Sequence, residues 1–398
     1  MLKIIAFIQI ALFCFSISAT TQLNKGRSAI KSFYSEIPFE FIKDKIIIEA
    51  QVNGRKGRFI FDTGAPCIIF KDSSKMAYPK LQDLHVRDAN NNRQLTEIVN
   101  LEQVQLGGVE FVNIPAIYSE PFPMPFSCFN VDGYIGSNVM RFGAFKVDWK
   151  RQVLIIADSY KDFNLTKKQG MKLLVSKVQS SPYISIKLNE KFTETLLIDT
   201  GSDDFYSLSN KHLKYFQSKG YLKDKVCYKS TGSSSHGMGG IDQSSQGSSI
   251  ISINTLEIAG ANFKNIAIRT TNSSSRIGTE LLTKGDFVLD YRHKRFFFEP
   301  SDSDRSFQEK SFGVDLVVKN DTFRVGGVWQ GTAADSLGIK VGDIVVDIDT
   351  FGLTSKPQCE AFFKLSDYTK DKISITLYYR KEEEKKIRHV RLNRITFD

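Results

Sequence analysis

The sequence predicts a mainly β protein, two related lobes followed by a smaller α+β unit, and three observations carry that expectation. The tripeptide Asp-Thr-Gly occurs twice, at Asp62-Thr63-Gly64 and Asp199-Thr200-Gly201, each time directly after an apolar strand. After each copy come two blocks that repeat, each without a gap inside it. Gly108, Phe111, Asn113 and Ile114 are answered by Gly260, Phe263, Asn265 and Ile266 at an offset of 152. Ile135-Gly136, Gly143, Phe145, Asp148 and Trp149 are answered by Ile277-Gly278, Gly285, Phe287, Asp290 and Tyr291 at an offset of 142. After Pro300 the pattern changes: a polar stretch leads into a segment with its own glycine-rich turns, small-residue helix and apolar strands.

The elements follow in order. In the first half, Lys45-Ile46-Ile47-Ile48 and Gln51-Val52-Asn53-Gly54 read as strand and turn, and Phe59-Ile60-Phe61 as the strand that delivers Asp62. In the second, Tyr183-Ile184-Ser185-Ile186 and Lys187-Leu188-Asn189 lead through Leu196-Leu197-Ile198 to Asp199. Between Gly136 and Gly143, and between Gly278 and Gly285, Ser137 or Thr279 is expected to cap a short helix that the later glycine ends. This places the first lobe at 20–157, a lysine- and serine-rich connection at 158–181, the second lobe at 182–300, a linker at 301–309 and the last unit at 310–398. Residues 20–41 read either as a short pro-segment or as a first strand.

With 398 residues, 41% hydrophobic and 12% aromatic, the chain can bury two or three cores. Met1 to Ala19 combine Lys3, an apolar run from Ile4 to Ile17, and the small residues Ser18 and Ala19. That is the pattern of a signal peptide, so residues 1–19 are expected to be removed and the product exported to the periplasm, cell surface or medium of a bacterium. No later segment is apolar enough to cross a bilayer, so no stable membrane insertion is expected after signal removal. Of Cys67, Cys128, Cys227 and Cys359, none forms a CxxC pair or neighbours a histidine pattern, so no metal and no other cofactor is expected. Three disulfide pairings are open, and Cys67 with Cys128 is the first to test because both fall in one half. The net charge of +10 is spread among interleaved acids and bases, which excludes a nucleic-acid tract and describes a solvated surface.

Asp-Thr-Gly after an apolar strand, followed by Tyr134-Ile135-Gly136 in one half and Arg276-Ile277-Gly278 in the other, resembles the retropepsin and pepsin pattern of clan AA aspartic proteases. The resemblance implies two β-barrel lobes related by a pseudo-twofold axis, a monomer with its site at the lobe interface, and catalytic Asp62 and Asp199. Arg276 departs from the hydrophobic residue usual at its position. The chemistry accounts for the residue types: two carboxyls about 3 Å apart share one proton and hold a water between them, one acting as base and the other as acid. By the same resemblance, Thr63 and Thr200 bond across to the opposite loop, and Gly64 and Gly201 remove the Cβ that would block the approach. Ala65 and Ser202 differ, and a hydroxyl on Ser202 is expected to bond the outer oxygen of Asp199. That would make Asp199 the ionised member and Asp62 the protonated one, with Asp203 and Asp204 acting in the opposite sense.

Flap candidates are the turn Asp88 to Arg93 in the first half and Gly237-Met238-Gly239-Gly240 in the second. Farther on, Phe312-Gly313-Val314, the small-residue run Gly331 to Leu337, and Gly342-Asp343 before Ile344-Val345-Val346 resemble a bacterial-type PDZ domain. That resemblance implies a loop at Phe312-Gly313-Val314 for a peptide C-terminus, with the strand edge from Val314 to Leu316 accepting an added strand. Together these point to an exported endopeptidase acting on polypeptide, with a C-terminal peptide ligand at the last unit. A non-catalytic peptide-binding or assembly protein on the same scaffold is the alternative.

Overall fold

Asn53 and Gly54 both take positive φ, 48° and 83°, and so turn strand Lys45–Val52 back into strand Arg55–Asp62 as a tight hairpin. Strands Pro182–Leu188 and Phe192–Ile198 form the matching hairpin of the second lobe. Alternate residues of Phe192–Ile198 point inward, as the period of two requires. The protein is mainly β throughout. This computed structural model describes residues 23–71, 76–88, 92–222, 226–232, 236–237, 240–241, 247–301 and 306–397. The signal-like residues 1–19 lie outside that range. Among the described residues no helix is long and apolar enough to cross a membrane.

The strand leading to each aspartate runs parallel to the strand that leads to the repeated glycine of its lobe, Gly136 or Gly278. Asp62 stands opposite Gly136, and Ile198 opposite Ile277. The lobes meet in one sheet, in the order Met171–Lys172, Arg295–Pro300, Gly285–Asp290, Ala144–Asp148, Val153–Ala157, Tyr34–Ile42. Across its centre Phe145 faces Leu289, Lys146 faces Val288 and Val147 faces Phe287. Under the offset of 142 read from the sequence, Phe145 corresponds to Phe287 and Val147 to Leu289. Exchanging the lobes therefore leaves this register unchanged, and the pseudo-twofold axis passes through the Lys146–Val288 pair. One apolar core crosses that axis, with Phe61, Phe145, Ile198 and Phe287 all buried in it.

Three expectations change. Residues 34–42 form a strand, paired through Tyr34–Pro38 with Val153–Ala157 and through Phe39–Ile42 with Lys45–Ile48, while residues 158–181 are more than a connection, supplying the far edge of the interlobe sheet through Met171–Lys172. The stretch 301–309 is more than a linker. Ser306–Phe307 pairs parallel with the second lobe, Phe307 stacks on Phe205 at 4.3 Å, and Glu309–Ser311 pairs with Ile395–Phe397. The disulfide joins Cys128 to Cys359, not to Cys67. Cys67 is fully enclosed behind the Asp62 loop, and burial pushes its thiol up to about 12.

The last unit has its own core, built from strands Val314–Lys319, Thr322–Trp329, Ile344–Ile348, Ser374–Arg380 and Arg388–Asn393 and helices Ala333–Ser336 and Gln358–Thr369. It is fastened to both lobes. Strand Thr322–Trp329 continues the second lobe's sheet, with Trp329 opposite Ser230 and Gly327 opposite Gly232. Arg269 of the second lobe reaches Glu309 and Asp315 at 2.7 and 2.8 Å. On the other side the disulfide, the Phe129–Phe363 ring contact at 5.5 Å and the bond from Lys43 Nζ to the Phe363 carbonyl tie helix Gln358–Thr369 to the first lobe. Because the bridge closes a sequence separation of 231 residues, its loss is expected to cost roughly 2–5 kcal/mol. Thermal melts should therefore show reductant lowering the wild-type midpoint. Cys128→Ser combined with Cys359→Ser should start lower and be insensitive to reductant.

Candidate active site

The two Asp-Thr-Gly loops are locked to each other by four reciprocal hydrogen bonds. Thr63 Oγ1 donates to the Ile198 carbonyl at 2.6 Å and accepts from Thr200 N at 3.0 Å. Thr200 Oγ1 donates to the Phe61 carbonyl at 2.7 Å and accepts from Thr63 N at 3.0 Å. Both threonines are fully buried. A hydroxyl is the one small group that can donate and accept at once, which is why threonine stands at this crossing.

The lock brings the carboxylates together. A Cβ added at Gly64 would stand 2.5 Å from Asp199 Oδ1, and one added at Gly201 would fall on Asp62 Oδ2. Each carboxylate thus lies against the opposite loop's glycine, and no larger residue fits there. Asp62 Oδ1 accepts from the Gly64 and Ala65 amides at 2.8 and 3.1 Å, and Asp199 Oδ1 from the Gly201 amide at 3.0 Å. Burial, followed by the neighbouring Asp199 charge, pushes the Asp62 carboxyl up to about 7, the two amides opposing. Asp199 Oδ2 has a different neighbour: the Arg276 guanidinium, 3.5 Å away and itself buried.

The expected cap residues serve another end. Gly136 and Gly278 occupy the cap positions of helices Ser137–Met140 and Thr279–Leu282. Ser137 Oγ instead donates to the Ala65 carbonyl and Thr279 Oγ1 to the Ser202 carbonyl, both at 3.0 Å, so each short helix pins the end of its own lobe's loop. Ser202 does not reach the outer oxygen of Asp199. Its hydroxyl donates to Asp204 Oδ2 at 2.9 Å, because the chain turns back at Asp204, whose own amide returns to Ser202 Oγ.

Sequence reasoning missed Gln179, whose Nε2 donates to the Gly64 carbonyl at 3.0 Å from within the interlobe connection. It carried no motif signal. Arg276 did carry one, as a cation where an apolar residue was expected. Of the flap candidates, strands Lys80–Arg87 and Arg93–Leu106 form a hairpin in which Asn92 N and Nδ2 donate to Asp88 at 2.8 and 3.0 Å; residues 89–91 lie outside the described residues. In the second lobe Gly237 pairs with Gly240, while Met238 and Gly239 lie outside the described residues. Phe312, Gly313 and Val314 are far from the dyad in the chain, at the entry of the last unit. Gly313, at φ 84°, has its amide engaged by Ser311 Oγ at 3.0 Å.

Residues 48–139 match the family model described as Aspartyl protease, a stretch holding the first Asp-Thr-Gly loop, its parallel strand and the helix that pins it. No curated protein matches the chain. Among solved structures, 169 chains match. One is a retropepsin-like aspartic protease from Rickettsia conorii, aligned at 23% identity with a TM-score of 0.22 over 32% of this chain and 95% of its own. The family match, read with the paired loops, supports an aspartyl protease.

Thr63→Val keeps the shape but removes the donor to Ile198 and leaves the Thr200 amide unpaired in the interior. Denaturant unfolding should show a loss of about 1–3 kcal/mol. Gly201→Ala should separate the carboxylates, and its structure should show Asp62 displaced from the opposite loop.

Proposed function

We propose that the protein is an exported aspartic endopeptidase acting on extended polypeptide. The observation that carries this reading is the reciprocal threonine lock, which holds two buried carboxylates side by side. A scaffold without catalysis has no use for buried like charges, since apolar replacements are neutral or stabilising in such sites. Asp199, beside a cation, takes a proton from the attacking water. Asp62, protonated up to about pH 7, gives its proton to the carbonyl oxygen as the water oxygen bonds to the carbonyl carbon. Collapse of the resulting gem-diol returns a hydroxyl proton to Asp62 and sends the proton on Asp199 to the departing nitrogen. The peptide bond breaks and the dyad is restored.

The disulfide supports export, because such bridges persist in oxidising compartments. The order of elements in the last unit supports a PDZ-like module. Met124 of the first lobe is buried in that unit's apolar cluster, against which Phe312, Val314, Leu316 and Leu365 also pack. This favours a module that is occupied, at least in part, by its own chain, so that an outside peptide C-terminus competes with the Met124 segment.

Cleavage of an unfolded polypeptide by the wild type should be present below about pH 7 and fade above it, as Asp62 loses its proton. Asp62→Asn and Asp199→Asn should each lower turnover on the order of 10²–10⁴-fold. No cleavage by the folded wild type between pH 3 and 7 would remove the reading. Asp62 also sets a stability trend. Its folded value lies above the ordinary 3.8 because burial penalises the ionised form, so stability is greatest below about 3.8 and falls as pH rises through about 7. Asp62→Asn should therefore gain stability relative to the wild type between pH 4 and 8, measured by denaturant unfolding.

A further inference from the structure

We propose that Arg276 is a positioning residue that gives the two aspartates their separate roles: its buried guanidinium holds Asp199 as the carboxylate and leaves the shared proton on Asp62. The proposal rests on the aspartic-protease reading of the dyad and adds what breaks its symmetry. Under the offset of 142, Arg276 is the counterpart of Tyr134, so the two lobes present a cation and a phenol from equivalent places.

The geometry is one-sided. Arg276 Nη1 stands 3.5 Å from Asp199 Oδ2 and Nε 3.9 Å from Asp204 Oδ2, with the side chain only 9% exposed. Nε has no hydrogen-bond partner, so the guanidinium is held chiefly by charge. Strand Arg276–Ile277 fixes its origin between Leu197 on one side and Ser207 on the other, which gives the side chain little freedom to leave. Asp204 stands beside the Nε end of the guanidinium, and its Oδ2 also accepts from the Ser202 hydroxyl at 2.9 Å. The loop amides act in the opposite sense, since Gly64 and Ala65 both donate to one oxygen of Asp62 whereas Asp199 accepts from Gly201 alone, so the cation beside Asp199 has to outweigh the extra amide on Asp62.

The other titratable groups facing the dyad do not supply this asymmetry. Tyr134, Tyr291 and Tyr183 are phenols whose ionisation is pushed up by burial and then by the nearby carboxylates, Asp62 for the first two and Asp199 for the third, so they stay neutral. Lys45 acts on Asp62 only as the weakest of its influences. Asp203 acts on Lys43 and Asp44. Charge balance completes the picture. With one proton on the dyad, the carboxylate and the guanidinium neutralise each other, so the singly protonated state is the one this site buries at least cost. An opposite charge beside a carboxyl favours its ionised form.

The test uses the full chain labelled with ¹³C at aspartate carboxyls, titrated by NMR from pH 2 to 9, with Asp62→Asn and Asp199→Asn providing the assignments. In the wild type Asp199 should ionise first. In Arg276→Met its midpoint should rise by about 1–3 units, and Arg276→Lys should recover part of that shift. Asp204→Asn, which leaves the guanidinium to Asp199 alone, should leave that midpoint unchanged or lower it. The acidic limb of peptide hydrolysis should follow the same order. Asp62 ionising first in the wild type would overturn the proposal. So would an unmoved Asp199 midpoint in folded Arg276→Met or, should that variant not fold, a midpoint raised by Asp204→Asn. A wild type that titrates as described but cleaves nothing would sink the protease reading while leaving the proton assignment intact.

Discussion

Two like charges held together away from water repel, and this structure answers that repulsion with the bonds between Thr63 and Thr200. Each hydroxyl satisfies one carbonyl and one amide of the two loops, so neither loop can withdraw without stranding buried polar groups. The lock in turn rests on two layers below it. The self-complementary sheet centred on Lys146 and Val288 sets the axis, and the core running through it leaves the lobes no freedom to slide. Above the lock the glycines admit the opposing carboxylates.

On this symmetric frame the chemistry is asymmetric. A cation faces one aspartate and two amides serve the other, so equivalent strands present inequivalent acids. The last unit breaks the symmetry a second time. It extends the sheet of the second lobe while a disulfide binds it to the first, so relative motion of the lobes strains a covalent link as well as a strand pairing. The strand it captures, Val226–Gly232, leads into the segment that reads as the second lobe's flap. The first lobe's hairpin, Lys80–Arg87 with Arg93–Leu106, has no such partner among the described pairings of its outer strand.

Much of the site was legible because its residues obey local rules. Asp62, Thr63 and Gly64 follow an apolar strand and repeat at Asp199, Thr200 and Gly201, a signal that is local because each residue type answers one need of the loop: a carboxyl, a hydroxyl that donates and accepts, and a missing Cβ. Ser137 and Thr279 mark helix starts in the sequence, but a hydroxyl one residue past the cap position looks there the same as a cap. Ser202 was assigned to Asp199 because they are near neighbours. The turn at Asp204, which takes that hydroxyl away, follows from loop geometry that residue order does not encode.

The repeated blocks, the two aspartates with their threonine and glycine neighbours, and the changed character of the chain after Pro300 can all be read from residue order. Those properties live in periodicity and in short motifs, where neighbours along the chain are also neighbours in space. That Arg276 faces Asp199, that Gln179 holds Gly64, and that Cys128 meets Cys359 across 231 positions emerges from the folded chain alone. Such contacts join segments whose separation in sequence carries no information about their distance, and burial at the meeting point is what gives each its strength.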